Sequence, residues 1–108
     1  MKNTQPRPIR IANTTIAEGN PCFIIAEAGV NHDGDVHKAQ HLIDIAKKAG
    51  ADAVKFQTWH TDDIVTKTAQ QAPYQQRNTG KTESQYDMLK RLELSYDDFR
   101  RLKDPKAG

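Results

Sequence analysis

The chain has 108 residues, about the length of one ordinary domain, which argues against a multidomain organisation. With 36% apolar residues and a mean hydropathy of -0.82 it is polar for its size, and it has no run of 18 apolar residues for a membrane span. Its 16 basic and 14 acidic residues leave a net charge of +2, so neither a nucleic acid nor another polyanion is expected as a partner.

Residues 1–12 are charged and lack the apolar core of a signal peptide. Residues 9–16 alternate apolar and polar side chains around Asn13, as a small β-hairpin would. Residues 22–28 form a short apolar run between Pro21 and Gly29, which predicts a first core strand buried on both faces. Cys22, inside that run, is the only cysteine, so no internal disulfide forms and a reducing, cytoplasmic setting is expected.

A helix is predicted over 35–50. Asp35 can cap its start, and Val36, Ala39, Leu42, Ile43, Ala46 and Ala49 recur at helical spacing. Lys47 and Lys48 suit the last turn, and Gly50 suits the left-handed residue that ends it. A second strand is predicted over 53–58. Strand, helix and strand with short connections make a βαβ unit with parallel strands, so the fold class is α/β.

From 66 to 87 the apolar members are Ala69, Ala72, Tyr74 and Tyr86, and so long a polar connection is expected to be functional or disordered. Ser84 with Asp87 opens a helix carrying Met88, Leu89 and Leu92, and Ser95 with Asp98 opens another carrying Phe99 and Leu102. Residues 104–108 are turn formers.

The chemistry comes from strand alternation. Val54 and Phe56 share one face and belong against the helix, which leaves Lys55 and Gln57 on the other. On the first strand Glu27 shares the corresponding face with Phe23 and Ile25, so Glu27 and Lys55 are expected at the carboxyl ends of adjacent or near-adjacent parallel strands, where α/β folds place their sites. A buried ion pair is the structural alternative, and such pairs contribute weakly to stability. A lysine with a glutamine beside it suits a phosphate or carboxylate substrate.

Three other features carry less. The turn after the first strand, Gly29-Val30-Asn31-His32-Asp33-Gly34, matches neither a dinucleotide-binding nor a Walker-type motif. His37 and His41 stand at metal-ligand spacing but are expected on the solvated face of the helix. His32 and His60 read as turn residues rather than catalysts, and Trp59, Tyr74 and Tyr86 fit packing beneath the long connection as well as a role in a site.

Three blocks in order carry a family resemblance. They are Phe23-Ile24-Ile25-Ala26-Glu27-Ala28-Gly29-Val30-Asn31-His32-Asp33-Gly34-Asp35, then Ala49-Gly50-Ala51-Asp52-Ala53-Val54-Lys55-Phe56-Gln57-Thr58, then Tyr74-Gln75-Gln76-Arg77-Asn78-Thr79-Gly80 with Glu83-Ser84-Gln85-Tyr86-Asp87-Met88-Leu89-Lys90-Arg91-Leu92-Glu93-Leu94-Ser95. Together they resemble the sialic acid synthase (N-acetylneuraminate synthase) family.

The resemblance implies a TIM (β/α)8 barrel, of which residues 1–108 would be an amino-terminal fragment: two βα units preceded by the small β-hairpin. The rest of the barrel and an antifreeze-like domain would be absent. It implies condensation of phosphoenolpyruvate with N-acetylmannosamine or another N-acetylated hexose, giving a nonulosonic acid and phosphate. A divalent metal, usually Mn2+, is implied as cofactor, with its ligands in the missing part, and a homodimer for the full-length parent.

Carried over by position, Lys55 resembles the phosphoenolpyruvate-binding lysine. Glu27 resembles the acidic residue near the metal, reaching it through water or taking part in proton transfer. Gln57 and Asn78 resemble sugar contacts. The chain alone is expected to be inactive. Legionaminic and related synthases share these motifs and are the alternative, as is a noncatalytic binding module.

Overall fold

The computed structural model describes residues 6–66 and 83–104. Ile9–Ile11 (β1) and Thr14–Ile16 (β2) pair antiparallel, with Ile9 opposite Ile16 and Ile11 opposite Thr14. Ile9 and Ile11 are exposed.

Ile25–Gly29 (β3) and Ala53–Phe56 (β4) form a parallel pair joined by the helix Val36–Lys48 (α1). This is the βαβ unit expected from the spacing. Asp35 caps α1 by accepting the amide hydrogens of His37 and Lys38, and those bonds hold its carboxyl below the usual carboxylate range. Gly50, at φ +89°, follows the helix end in the left-handed region.

Both strands are shorter than the apolar runs predict. β3 starts at Ile25 rather than at residue 22. Ahead of it Ile24 is tied to a side chain as well as to backbone: its amide donates to Asp52 Oδ2 at 2.8 Å, and its carbonyl accepts from the amides of Asp52 and Ala53. β4 ends at Phe56, two residues before the expected end, although the Gln57 amide still reaches the Gly29 carbonyl at 3.3 Å.

Beyond β4, Thr61–Ile64 (α2) is a single helical turn where the sequence pattern shows only the start of a long connection. Gln85–Leu92 (α3) and Tyr96–Lys103 (α4) follow, each capped as expected: Ser84 Oγ accepts from the Asp87 amide and Ser95 Oγ from the Asp98 amide, both at 3.0 Å.

The core lies on one side of the sheet. Ala39 of α1, Leu94 and Leu102 of α4 are buried, and Val36, Ile43, Phe56 and Phe99 pack against them. Phe56 therefore faces the helices, as strand alternation requires, and its ring lies 6.0 Å from that of Phe99. A groove of 610 Å³ is lined by Ile43, Val54, Phe56, Phe99 and Leu102, with Lys47, Asp52 and Lys103 among its charged members.

Among the described residues the opposite face is open, so the expected burial of the strand on both faces is not met within them. Ile25 is 55% exposed, and among the described residues no other strand joins β3 and β4. An apolar run needs a layer on each side to be buried twice; here the described residues supply one.

Candidate functional site

The open face carries the charged pair. Parallel register sets Glu27 directly opposite Lys55, and immediately afterwards a bulge shifts the pairing so that Gly29 stands opposite Phe56. Glu27 Oε2 and Lys55 Nζ are 3.1 Å apart. Their side chains are 53% and 64% exposed, so the pair is not the buried one that strand alternation suggested. Gly29, at φ +56°, lies beneath the carboxylate: a Cβ there would stand 3.4 Å from Glu27 Oε1.

An exposed ion pair of this kind contributes about 0 to 1 kcal/mol, too little to explain its position at the carboxyl ends of two parallel strands. What the arrangement offers is chemical. The lysine is a compact positive charge with donors to spare for a phosphate or carboxylate, and the glutamate is an acceptor for its remaining hydrogen or for a bound water. Gln57 is exposed two residues beyond Lys55, with its backbone fixed to Gly29. Asn78 lies outside the described residues.

Among the described residues no three His, Cys, Asp or Glu side chains gather closely enough to hold a metal ion. His37 and His41 are exposed on α1, as expected. Glu27 by itself does not make a metal centre, and the resemblance puts the metal's ligands outside this chain.

Two polar groups are buried where the sequence pattern suggests surface. His32 is fully buried in the turn between β3 and α1, its Nδ1 accepting the Gly34 amide at 2.9 Å. Its neighbours Asn31, Asp33 and Gly34 are turn formers, which conceals the burial, and the ring of the distant Phe56 lies 6.0 Å away between centroids. Thr61 is also fully buried. Its amide and hydroxyl donate to Glu93 Oε2 at 2.9 and 2.6 Å, and its hydroxyl oxygen accepts from Trp59 Nε1 at 3.1 Å. The usable signal for this latch was Glu93 itself, a charged residue between Leu92 and Leu94. Tyr86 ties the same region together, its hydroxyl donating to Asp62 Oδ1 at 2.6 Å.

A comparison with protein families decides the kinship: the profile of the NeuB family matches residues 42–106, well over half the chain. The chain belongs to the NeuB family. It is 57% identical over 77 residues to the N,N'-diacetyllegionaminic acid synthase of Legionella pneumophila, covering 71% of this chain and 22% of that protein. With the human N-acetylneuraminate-9-phosphate synthase the identity is 40% over 84 residues, covering 77% of the chain and 23% of the relative. Among solved structures, the N-acetylneuraminic acid synthetase of Leptospira borgpetersenii, in complex with citrate, superposes with a TM-score of 0.67 at 31% identity over 94% of this chain and 30% of that one.

This NeuB-family chain thus spans under a quarter of the length of these curated relatives. Among its described residues no helix is long and apolar enough to cross a membrane.

Proposed function

We propose that the chain is the opening part of a (β/α)8-barrel nonulosonic acid synthase that condenses phosphoenolpyruvate with an N-acetylated hexose and releases phosphate. The observation that carries this reading is the in-register Glu27–Lys55 pair, exposed at the carboxyl ends of adjacent parallel strands in a NeuB-family chain. Among the described residues β4 pairs with β3 alone, which supports the barrel, since a further parallel strand and its helix would cover its other edge and the groove.

In this reading Lys55 Nζ donates to an anionic oxygen of phosphoenolpyruvate, leaving Glu27 to hold the ammonium in place and to exchange a proton with water at the reacting centre. Gln57 and Asn78 donate to and accept from sugar hydroxyls. These are contributions of charge placement and positioning, and they require the other strand ends of the barrel to complete them. Manganese, implied by the resemblance, has no ligand set among the described residues, and no step here runs through it. A legionaminic-type sugar is the alternative substrate, favoured by the 57% identity to the Legionella enzyme against 40% to the human one.

The test grafts this chain in place of the matching segment of the Legionella synthase. Lys55→Ala in the graft should lower turnover of phosphoenolpyruvate by about a hundredfold, on the scale of losing one charge-stabilising donor. Unchanged kinetics would remove Lys55 from the site. The ungrafted chain should release no phosphate.

A further inference from the structure

His32 belongs to the turn that leaves β3 five residues after Glu27, and its environment is specific. Nδ1 accepts the Gly34 amide hydrogen, so in the neutral ring the proton sits on Nε2. Among the described residues that Nε2 is buried without a hydrogen-bond partner. The His32 carbonyl accepts the amide of Asp35, the residue that caps α1, at 2.9 Å. The ring leans on Phe56, the residue directly after Lys55. One imidazole therefore touches both structural supports of the charged pair: the loop that continues from Glu27 and the strand end that carries Lys55.

The surroundings oppose a charge on that ring. Burial pushes the His32 pKa below its ordinary value, and the carboxylate of Asp33 works weakly in the other direction. Asp33 is itself 3.5 Å from Lys38 of α1. From α3, the Arg91 backbone carbonyl presses against Gly34 while the guanidinium turns to Glu83 at 2.8 Å. β4 presents Phe56, with Phe99 of α4 behind it. Protonation would place a second donor against the Gly34 amide and leave a buried cation facing an aromatic ring.

We propose that His32 is a positioning residue whose neutral, Nε2-protonated ring locks the β3–α1 loop onto β4, so that Glu27 and Lys55 stay opposed only while the ring is uncharged. The lock itself stands on the loop geometry. Its bearing on turnover rests on the function proposed above.

The folded chain binds this proton less readily than the unfolded one, so the lock is intact above the ordinary histidine pKa and is lost as pH falls through the lowered one.

The experiment is NMR on the 15N-labelled chain between about pH 8 and about pH 5, above the ordinary carboxylate range. At the upper end His32 should show the Nε2–H tautomer. On acidification the amides of Gly34, Glu27 and Lys55 should move together with the His32 ring. His32→Asn supplies an amide oxygen where Nδ1 stood, and should keep the loop signals while abolishing their pH dependence. His32→Phe keeps the bulk without the acceptor, and should displace the Gly34 and Glu27 amides at every pH.

The opposite tautomer, a ring that titrates without moving those amides, a His32→Phe spectrum like the parent's, or an undispersed parent spectrum at the upper pH would each overturn the proposal. In the grafted synthase, His32→Asn should flatten the acid limb of the kcat profile that the parent graft shows. If Lys55→Ala leaves turnover intact while the amides respond as expected, the lock stands and the proposed function does not. If the amides fail and Lys55→Ala is inactive, the reverse holds.

Discussion

Glu27 and Glu93 are the same side chain in two regions that treat it differently. Glu27 stands 53% exposed on the open face of the β3–β4 pair, with one still more exposed lysine for company. Glu93, at 16%, accepts both the amide and the hydroxyl of buried Thr61 and lies 3.6 Å from Lys90, closing α2 onto α3. A carboxylate with several fixed donors cannot change partners without leaving them unsatisfied, whereas one with a single solvated partner can. The difference separates polar groups that hold the chain together from those free to engage a substrate, and His32 and Gly34 fall with Glu93 on the holding side.

The largest expected effect is at Gly34. Its φ of +75° is strained for any other residue, and a Cβ there would collide with the backbone carbonyl of Arg91, which cannot swing aside as a side chain can. Gly34→Ala should cost about 3 kcal/mol, the sum of a left-handed penalty and overpacking, read from the urea midpoint of the chain. A loss below about 1 kcal/mol would mean that the loop is not sealed, and the contrast would weaken.

Next comes Glu93→Gln, which keeps the shape but weakens both bonds from Thr61, at about 1 to 2 kcal/mol. The Thr61 hydroxyl bond is the main reason that the Glu93 carboxyl sits below its usual range, and burial opposes it. A lowered carboxyl pKa adds stability above the ordinary carboxylate value and loses it as pH falls through the lowered one. Thermal unfolding followed from neutral to acid should therefore fall less steeply for the glutamine variant than for the parent. Parallel profiles would show that the latch carries no charge-dependent stability.

What the sequence disclosed divides along the same line. The α1 boundaries, its Asp35 cap and the Ser84 and Ser95 caps were legible because each depends on residues within one turn. The facing of Glu27 and Lys55 was legible because strand alternation is equally local. The burial of that face was not, because it depends on which layers cover a sheet, and apolar runs such as residues 22–28 look alike whether covered once or twice. α2 was missed because four residues are too few to show a helical period. His32 was legible as a turn residue because its neighbours set the turn, but its burial was not, since the ring it faces, Phe56, lies 24 positions away.

The smallest expected effect is the most diagnostic. Lys55→Ala removes one member of an exposed pair whose partner remains fully able to hydrate, so no unpaired buried charge is created. Stability should change by no more than about 0.5 kcal/mol, within the range for solvent-facing substitutions, as measured by the same urea titration. Set beside a hundredfold fall in turnover of the graft, a near-zero stability change would mean that the pair is held for chemistry. A loss above about 2 kcal/mol would instead make it a structural tie like Glu93 with Thr61, and would remove the reason for placing a substrate on that face.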